Sequence, residues 1–232
     1  MLVKLIKTFR DDLTGLLYPV TCLVCGDRLR DQTHLCSYCL NYAFVPFERE
    51  GRESGGGMIL PDWIAMQDAL WEFDKGGYLQ DVLHQLKYNG LEKLGSALGR
   101  QLGGKLRHNY WMAPLEDSLL LPVPLHSSRQ RKRGYNQASL IAGGVAEVTG
   151  AETVGSNAVI RIRNTATQTG LNARVRRKNI GGAFHLVQSE QFRNRPVIII
   201  DDVITTGATV MELASLIRPE AACIGIVTVA KA

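Results

Sequence analysis

Apolar and polar positions along this chain follow two alternating periods. At the start, Leu2, Leu5, Ile6, Phe9, Leu13, Leu16 and Leu17 recur at helical spacing, with Lys4, Lys7, Arg10, Asp11 and Asp12 between them. That stripe predicts an amphipathic helix over 1–18. Its charges break any run of the ~20 apolar residues that a membrane span needs. The segment reads as a helix packed on the protein body, with a membrane-surface role left open, and not as a signal peptide. With no export signal and no stable membrane insertion, the expected compartment is the cytoplasm.

Beyond residue 58 the period switches repeatedly between two and 3.6. "DALWEFD" (68–74) predicts a strand. "GGYLQDVLHQLKY" predicts a helix with Leu79, Val82, Leu83 and Leu86 on one face. "LEKLGSALGRQLGGKLRHN" is a second helical segment, weakened by its glycines. "SLLLPVP" (118–124) reads as a short buried strand ended by prolines. "NQASLIAGGVAEVTG" reads as a helix closed by Gly150, and "AVIRIR" (158–163) as a strand. The β-branched "VIIID" (197–201) suits a central parallel strand. "ATVMELASLIR" is then a helix and "CIGIVTVA" the last strand, with Cys223 as a buried strand residue. Strands alternating with helices indicate an α/β fold with a mostly parallel sheet flanked by helices. The chain divides into the helix of 1–18, a cysteine module over 19–47, a charged, Gly-rich linker over 48–57 and a main domain over 58–232.

Composition changes this picture little. The 232 residues carry a formal charge of +5 and 45% apolar residues, a mild bias toward anionic partners. The distribution says more than the total. Basic residues gather at Arg129, Arg131, Lys132 and Arg133, at Arg161 and Arg163, and at Arg174, Arg176, Arg177 and Lys178.

Four of the five cysteines form two C-x-x-C pairs, Cys22/Cys25 and Cys36/Cys39. Two such knuckles converge on one ion and make a four-thiolate Zn2+ site, with Gly26 giving the first knuckle its turn. Disulfides do not fit a chain without an export signal. A closed four-thiolate site has no vacant position, so its expected role is structural. The module can present Arg28, Arg30, His34, Tyr38 and Tyr42 to single-stranded nucleic acid, or serve only as a docking or stability element.

"VIIIDDVITTGAT" (197–209) carries the most specific chemistry. Ligands of open α/β sheets bind beyond the carboxyl ends of the strands. There, the hydroxyls of Thr205, Thr206 and Thr209 and the backbone N–H groups of Thr205, Thr206, Gly207, Ala208 and Thr209 can surround a phosphate at a helix start. Asp201 and Asp202 lie where a pentose would place its 2′- and 3′-hydroxyls, with Mg2+ or arginine easing their repulsion. These two acids are also the catalytic candidates. The stretch resembles the phosphoribosyl pyrophosphate (PRPP) signature of type I phosphoribosyltransferases. In "LLLPVPLHSSRQRKRGYNQ", Leu125, His126, Ser127 and Ser128 occupy the place of that fold's pyrophosphate loop by resemblance. Arg131 and Arg133 are natural pyrophosphate counter-charges. Residues 163–184 look like the mobile loop of glutamine-type amidophosphoribosyltransferases, with Arg174, Arg177 and Lys178 facing pyrophosphate, nucleic acid or, as a solvated basic loop, neither.

Taken together, the cysteine knuckles, "LKYNG", "PVP", "RKRGYNQ", "TATQ" and "DDVITTGAT" resemble the ComF family of competence and DNA-utilisation proteins. The resemblance implies a cytoplasmic bacterial protein with a type I phosphoribosyltransferase-like domain that binds PRPP with Mg2+. It implies a role in handling incoming single-stranded DNA, near a DNA-translocating helicase and recombination factors. Arg131, Lys132, Arg133, Arg174, Arg176, Arg177 and Lys178 are the nucleic-acid candidates. An active phosphoribosyltransferase is the alternative, with Trp71, Phe73, Tyr78, Lys87 and Tyr88 as candidates for its acceptor pocket. A third reading is an adaptor that recruits a helicase through residues 1–47.

Overall fold

A computed structural model describes residues 19–48, 60–108, 114–164 and 182–232. The segment 1–18, most of the linker, and Arg174, Arg176, Arg177 and Lys178 lie outside the described residues.

Seven strands are described: β1 (Ile64–Glu72), β2 (Leu119–Pro122), β3 (Glu152–Thr153), β4 (Val159–Arg161), β5 (Phe184–Leu186), β6 (Pro196–Ile204) and β7 (Cys223–Lys231). Six α-helices accompany them: α1 (Ser37–Tyr42), α2 (Tyr78–Tyr88), α3 (Glu92–His108), α4 (Ser127–Arg133), α5 (Gln137–Thr149) and α6 (Ala208–Ile217). Five strands form one sheet in the order β1-β7-β6-β2-β3, with every neighbouring pair parallel. The expected mostly parallel sheet flanked by helices is therefore present. β4 stands apart and pairs antiparallel with β5.

β6 lies between β7 and β2, which is why it reads as a continuous apolar run. Its side chains alternate between two cores, as the pleat requires. Ile198 and Ile200 join Leu83, Leu86, Leu98, Leu102 and Ile141 of α2, α3 and α5. Val197 and Ile199 join Val159, Phe184, Leu213 and Ile217 on the other face. Strands, helices and connections thus bring the carboxyl ends of β2 and β6 to one edge, beside the starts of α4 and α6.

Two departures from the pattern-based reading concern the helices beside the sheet. Ser127–Arg133 is helical where a loop was expected, because "SSRQRKR" has no apolar face to betray it. His126 caps that helix: its Nδ1 accepts from the Ser128 N–H at 3.3 Å. The glycines of α3 are also a packing surface. A Cβ on Gly99 would fall 2.1 Å from the Ile141 carbonyl oxygen, and one on Gly144 of α5 2.2 Å from that of Ser96. α3 and α5 meet backbone to backbone there. Among the described residues no helix is long and apolar enough to cross a membrane.

Candidate functional site

Hydrogen bonding along β6 continues through the acid pair to Ile204. Asp201 and Asp202 are therefore fixed by the sheet, and the pleat turns them apart. Asp202 is 4% exposed and faces α2 and α5. Its Oδ2 is ion-paired with the Lys87 ammonium, and its Oδ1 accepts from Gln137 Nε2 at 3.1 Å. Gln137 Oε1 in turn accepts from Arg133 Nη1 at 2.8 Å. Asp201 is half-buried, and its Oδ1 accepts the Asp202 N–H at 2.9 Å.

This arrangement separates the two acids electrostatically. Burial and the adjacent Asp202 charge push the Asp201 carboxyl well above its ordinary range. Burial acts in the same sense on Asp202, but the Lys87 ammonium outweighs it and holds that carboxyl down. Burial would lower Lys87, yet Asp202 and Asp201 keep its ammonium above the usual value. Asp202 is thus a neutralised strut, and Asp201 is the acid with interactions still to make.

The turn after β6 follows directly. Gly207 sits at φ 70°, the left-handed region where a Cβ is costly, and serves as N-cap of α6. No side chain caps this helix, and the first bond closing its first turn runs from Met211 N–H to the Gly207 carbonyl at 2.9 Å. The N–H groups of Ala208 and Thr209 at the helix start remain available to an anion, as at any uncapped helix start. Thr205 is exposed, while Thr206 and Thr209 are half-buried alongside.

Three arginines act on one another here, and Arg161 among them lies within electrostatic reach of Asp201. Burial, and then the neighbouring Arg133 charge, lower Arg129; burial, and then Arg129, lower Arg161, while Asp201 acts on Arg161 in the opposite sense. Guanidiniums close enough to depress one another favour an added anion. Arg161 also lies over the Phe184 ring at 5.4 Å. Beside it a cavity of about 170 Å³ opens between Pro124, Leu125, Ser127 and Gln130 on one wall and Gly155, Ser156 and Asn157 on the other. His126 is bridged through its backbone to Arg161.

Of the residues singled out from sequence, the structure gathers Asp201, Asp202, Thr205, Thr206, Gly207, Ala208 and Thr209 into one strand end and turn. Arg133 reaches that edge through Gln137. His126 and Ser127 border the neighbouring cavity and the α4 start. Arg131 and Lys132 do not join them: both are exposed on α4. Sequence reasoning gave Gln137 no role and put Lys87 in the acceptor pocket instead of on Asp202. Neither has a spacing that signals its partner, since Gln137 lies 65 residues from Asp202.

The second site is the cysteine cluster. The ligand atoms of Cys22, Cys25, Cys36 and Cys39 all lie within 4.8 Å of one another, and Cys25 and Cys36 Sγ are 3.7 Å apart. Tetrahedral coordination with metal–sulfur bonds near 2.3 Å implies sulfur separations of roughly 3.8 Å. Gly26 adopts φ 79° in the first knuckle. In the second, Cys36 Sγ accepts the Cys39 N–H at 3.3 Å and so starts α1. Burial would raise the Cys22 thiol, but N–H groups of Cys25, Cys36 and Val24 bring it to about 6. Burial and the other thiols push Cys39 up. Only a cation could hold all four as thiolates at this spacing, and the cluster has the geometry to hold a metal such as zinc.

No family model matches the chain. The DNA utilization protein YhgH of Escherichia coli K12 is 32% identical over 200 residues, covering 84% of this chain and 83% of its own. That of Salmonella typhimurium is 34% identical over 201 residues, with the same coverage. Competence protein F of Haemophilus influenzae is 43% identical over 100 residues, 43% of each chain. Among solved structures, the glutamine PRPP amidotransferase of B. subtilis complexed with ADP and GMP overlays 59% of this chain and 26% of its own, at a TM-score of 0.39 and 17% identity. At that identity and over that share of both chains, the YhgH proteins show the lineage: this chain belongs to the ComF family of competence and DNA-utilisation proteins.

Proposed function

We propose that the protein is a cytoplasmic DNA-uptake and utilisation factor that binds single-stranded DNA and PRPP. The observation that carries the PRPP reading is the uncapped start of α6, set just beyond an acid pair whose Asp201 lies within electrostatic reach of Arg161. A ribose 5-phosphate would place its phosphate on the N–H groups and hydroxyls of residues 205–209, with Ala208 and Thr209 opening the helix. Its ring hydroxyls would meet Asp201. The pyrophosphate would lie toward Arg133, Arg161, His126 and Ser127. Because Lys87 already neutralises Asp202, Asp201 is the carboxylate left to accompany Mg2+, which would supply further counter-charge to the pyrophosphate. Zn2+ at the four cysteines would be structural. The relatives' names support the DNA role; a DNA-translocating helicase and recombination factors are the partners that such a role calls for.

Titration calorimetry with PRPP and Mg2+ tests the site. We expect saturable one-site binding by the wild type and none by Asp201→Asn/Asp202→Asn. Equal binding by both, or none by the wild type, overturns the reading. A second reading, an active phosphoribosyltransferase, is favoured by the cavity beside Arg161, which leaves room for an acceptor. Pyrophosphate release across a panel of nucleobases and amines separates catalysis from binding alone.

A further inference from the structure

The exposed face of α2 carries a feature that the acid pair does not use. His84 and Tyr88 stand one helical turn apart with ring centroids 4.7 Å from each other. The Arg133 guanidinium lies 5.0 Å from the Tyr88 centroid, and Arg133 Nη2 donates to the Tyr88 hydroxyl at 3.4 Å. Although flanked by both groups, Tyr88 is 54% exposed. The core side of the same helix is already filled by Leu79, Val82, Leu83 and Leu86. Tyr88 therefore contributes little to the core, while its ring is braced against movement. α4, the short helix that carries Arg133, turns Arg131 and Lys132 to solvent.

Exposed, braced rings together with exposed cations on the helix that supplies the brace match one class of partner. Unpaired bases offer flat faces to aromatic rings, and the linking phosphates offer charge to Arg and Lys. A duplex hides its base faces and offers only the charge. We propose that the His84–Tyr88 shelf is a base-stacking platform for single-stranded nucleic acid, with the phosphates running over Arg131 and Lys132. This rests on the reading that the protein binds single strands, and adds where and by what contact. Arg133 joins the shelf to the acid pair, since the guanidinium that braces Tyr88 also holds Gln137, and Gln137 holds Asp202.

Fluorescence anisotropy with a labelled oligo-dT, on the full metal-loaded chain at several salt concentrations, tests the platform. Tyr88→Ala should bind about tenfold more weakly at every salt concentration, with an unchanged salt slope, and Tyr88→Phe should restore the affinity. Arg131→Ala/Lys132→Ala should instead flatten the slope by about 1.4, the value for two lost phosphate contacts on a single strand. Thermal melts of the variants serve as the fold control. Wild-type affinity in Tyr88→Ala, equal losses in Tyr88→Ala and Tyr88→Phe, or equal competition by a duplex of the same length would overturn the platform and leave single-strand binding standing. Absence of oligo-dT binding by the wild type overturns the underlying reading too.

Discussion

Asp201 is held in a state that the fold alone would not select. Burial and the Asp202 charge raise its carboxyl, so the folded chain binds a proton more tightly there than the unfolded chain does. Stability then falls as pH climbs from the unfolded value, near 3.9, up through the folded one. Asparagine has the same shape, keeps the oxygen that accepts the Asp202 N–H, and has no charge to desolvate. We expect Asp201→Asn to raise the melting temperature at pH 7, with a gain that shrinks toward zero as pH falls below 4. A gain independent of pH, or a loss at neutral pH, would show that the carboxylate is not strained. The acids and their turn were legible in the sequence because thirteen contiguous residues carry them. Lys87, Gln137 and Arg161 were not legible as their neighbours, because only the crossing of α2, α5 and β4 over distant parts of the chain brings them to β6.

Helices and strands were legible wherever one face is apolar, and opaque where packing uses no side chain. α4 escaped because its seven residues are all polar or charged. In α3 the glycines looked like weak points, since each lowers helix propensity by about 1 kcal/mol against alanine. The structure reverses that sign at particular positions. Gly99 and Gly144 stand where a methyl group would meet backbone of the facing helix, which no rotamer change can relieve; Gly104 of the same helix has nothing within 4 Å of its added Cβ. Gly99→Ala should therefore destabilise the protein by about 1–3 kcal/mol or more through overpacking. Gly104→Ala should stabilise it by about 0.4–1 kcal/mol. Urea melts of the two variants give the comparison, and a stabilised Gly99→Ala would refute the backbone contact between α3 and α5. That contact matters to the site because α5 supplies Gln137 to Asp202.

At the scale of the whole molecule, the question is whether the cysteine cluster hangs from the sheet or is part of it. Cys22, Leu35, Cys39 and Phe44 belong to the same apolar cluster as Met66, Trp71, Leu102 and Leu106. Phe44 packs on Trp71 with ring centroids 4.7 Å apart. The chain leaving the module hydrogen-bonds to β1, Phe47 N–H to the Leu70 carbonyl at 3.0 Å and Glu72 N–H to that of Val45 at 2.9 Å. Lys105 ties the joint from α3, donating to the Phe47 carbonyl at 2.9 Å while pairing with buried Asp68, also at 2.9 Å. About 30 residues around a metal cannot build a core of their own, and metal affinity becomes folding free energy. With a shared core, that free energy is felt by the sheet as well. Stripping the zinc-loaded protein with a strong chelator, or substituting Cys39→Ser, should lower the melting temperature of the entire chain in one calorimetric transition. Two resolved transitions, with the larger one unmoved by the chelator, would mean that the module folds and melts alone, and that the contacts around Trp71 and Lys105 transmit nothing to the acid-pair end of β6.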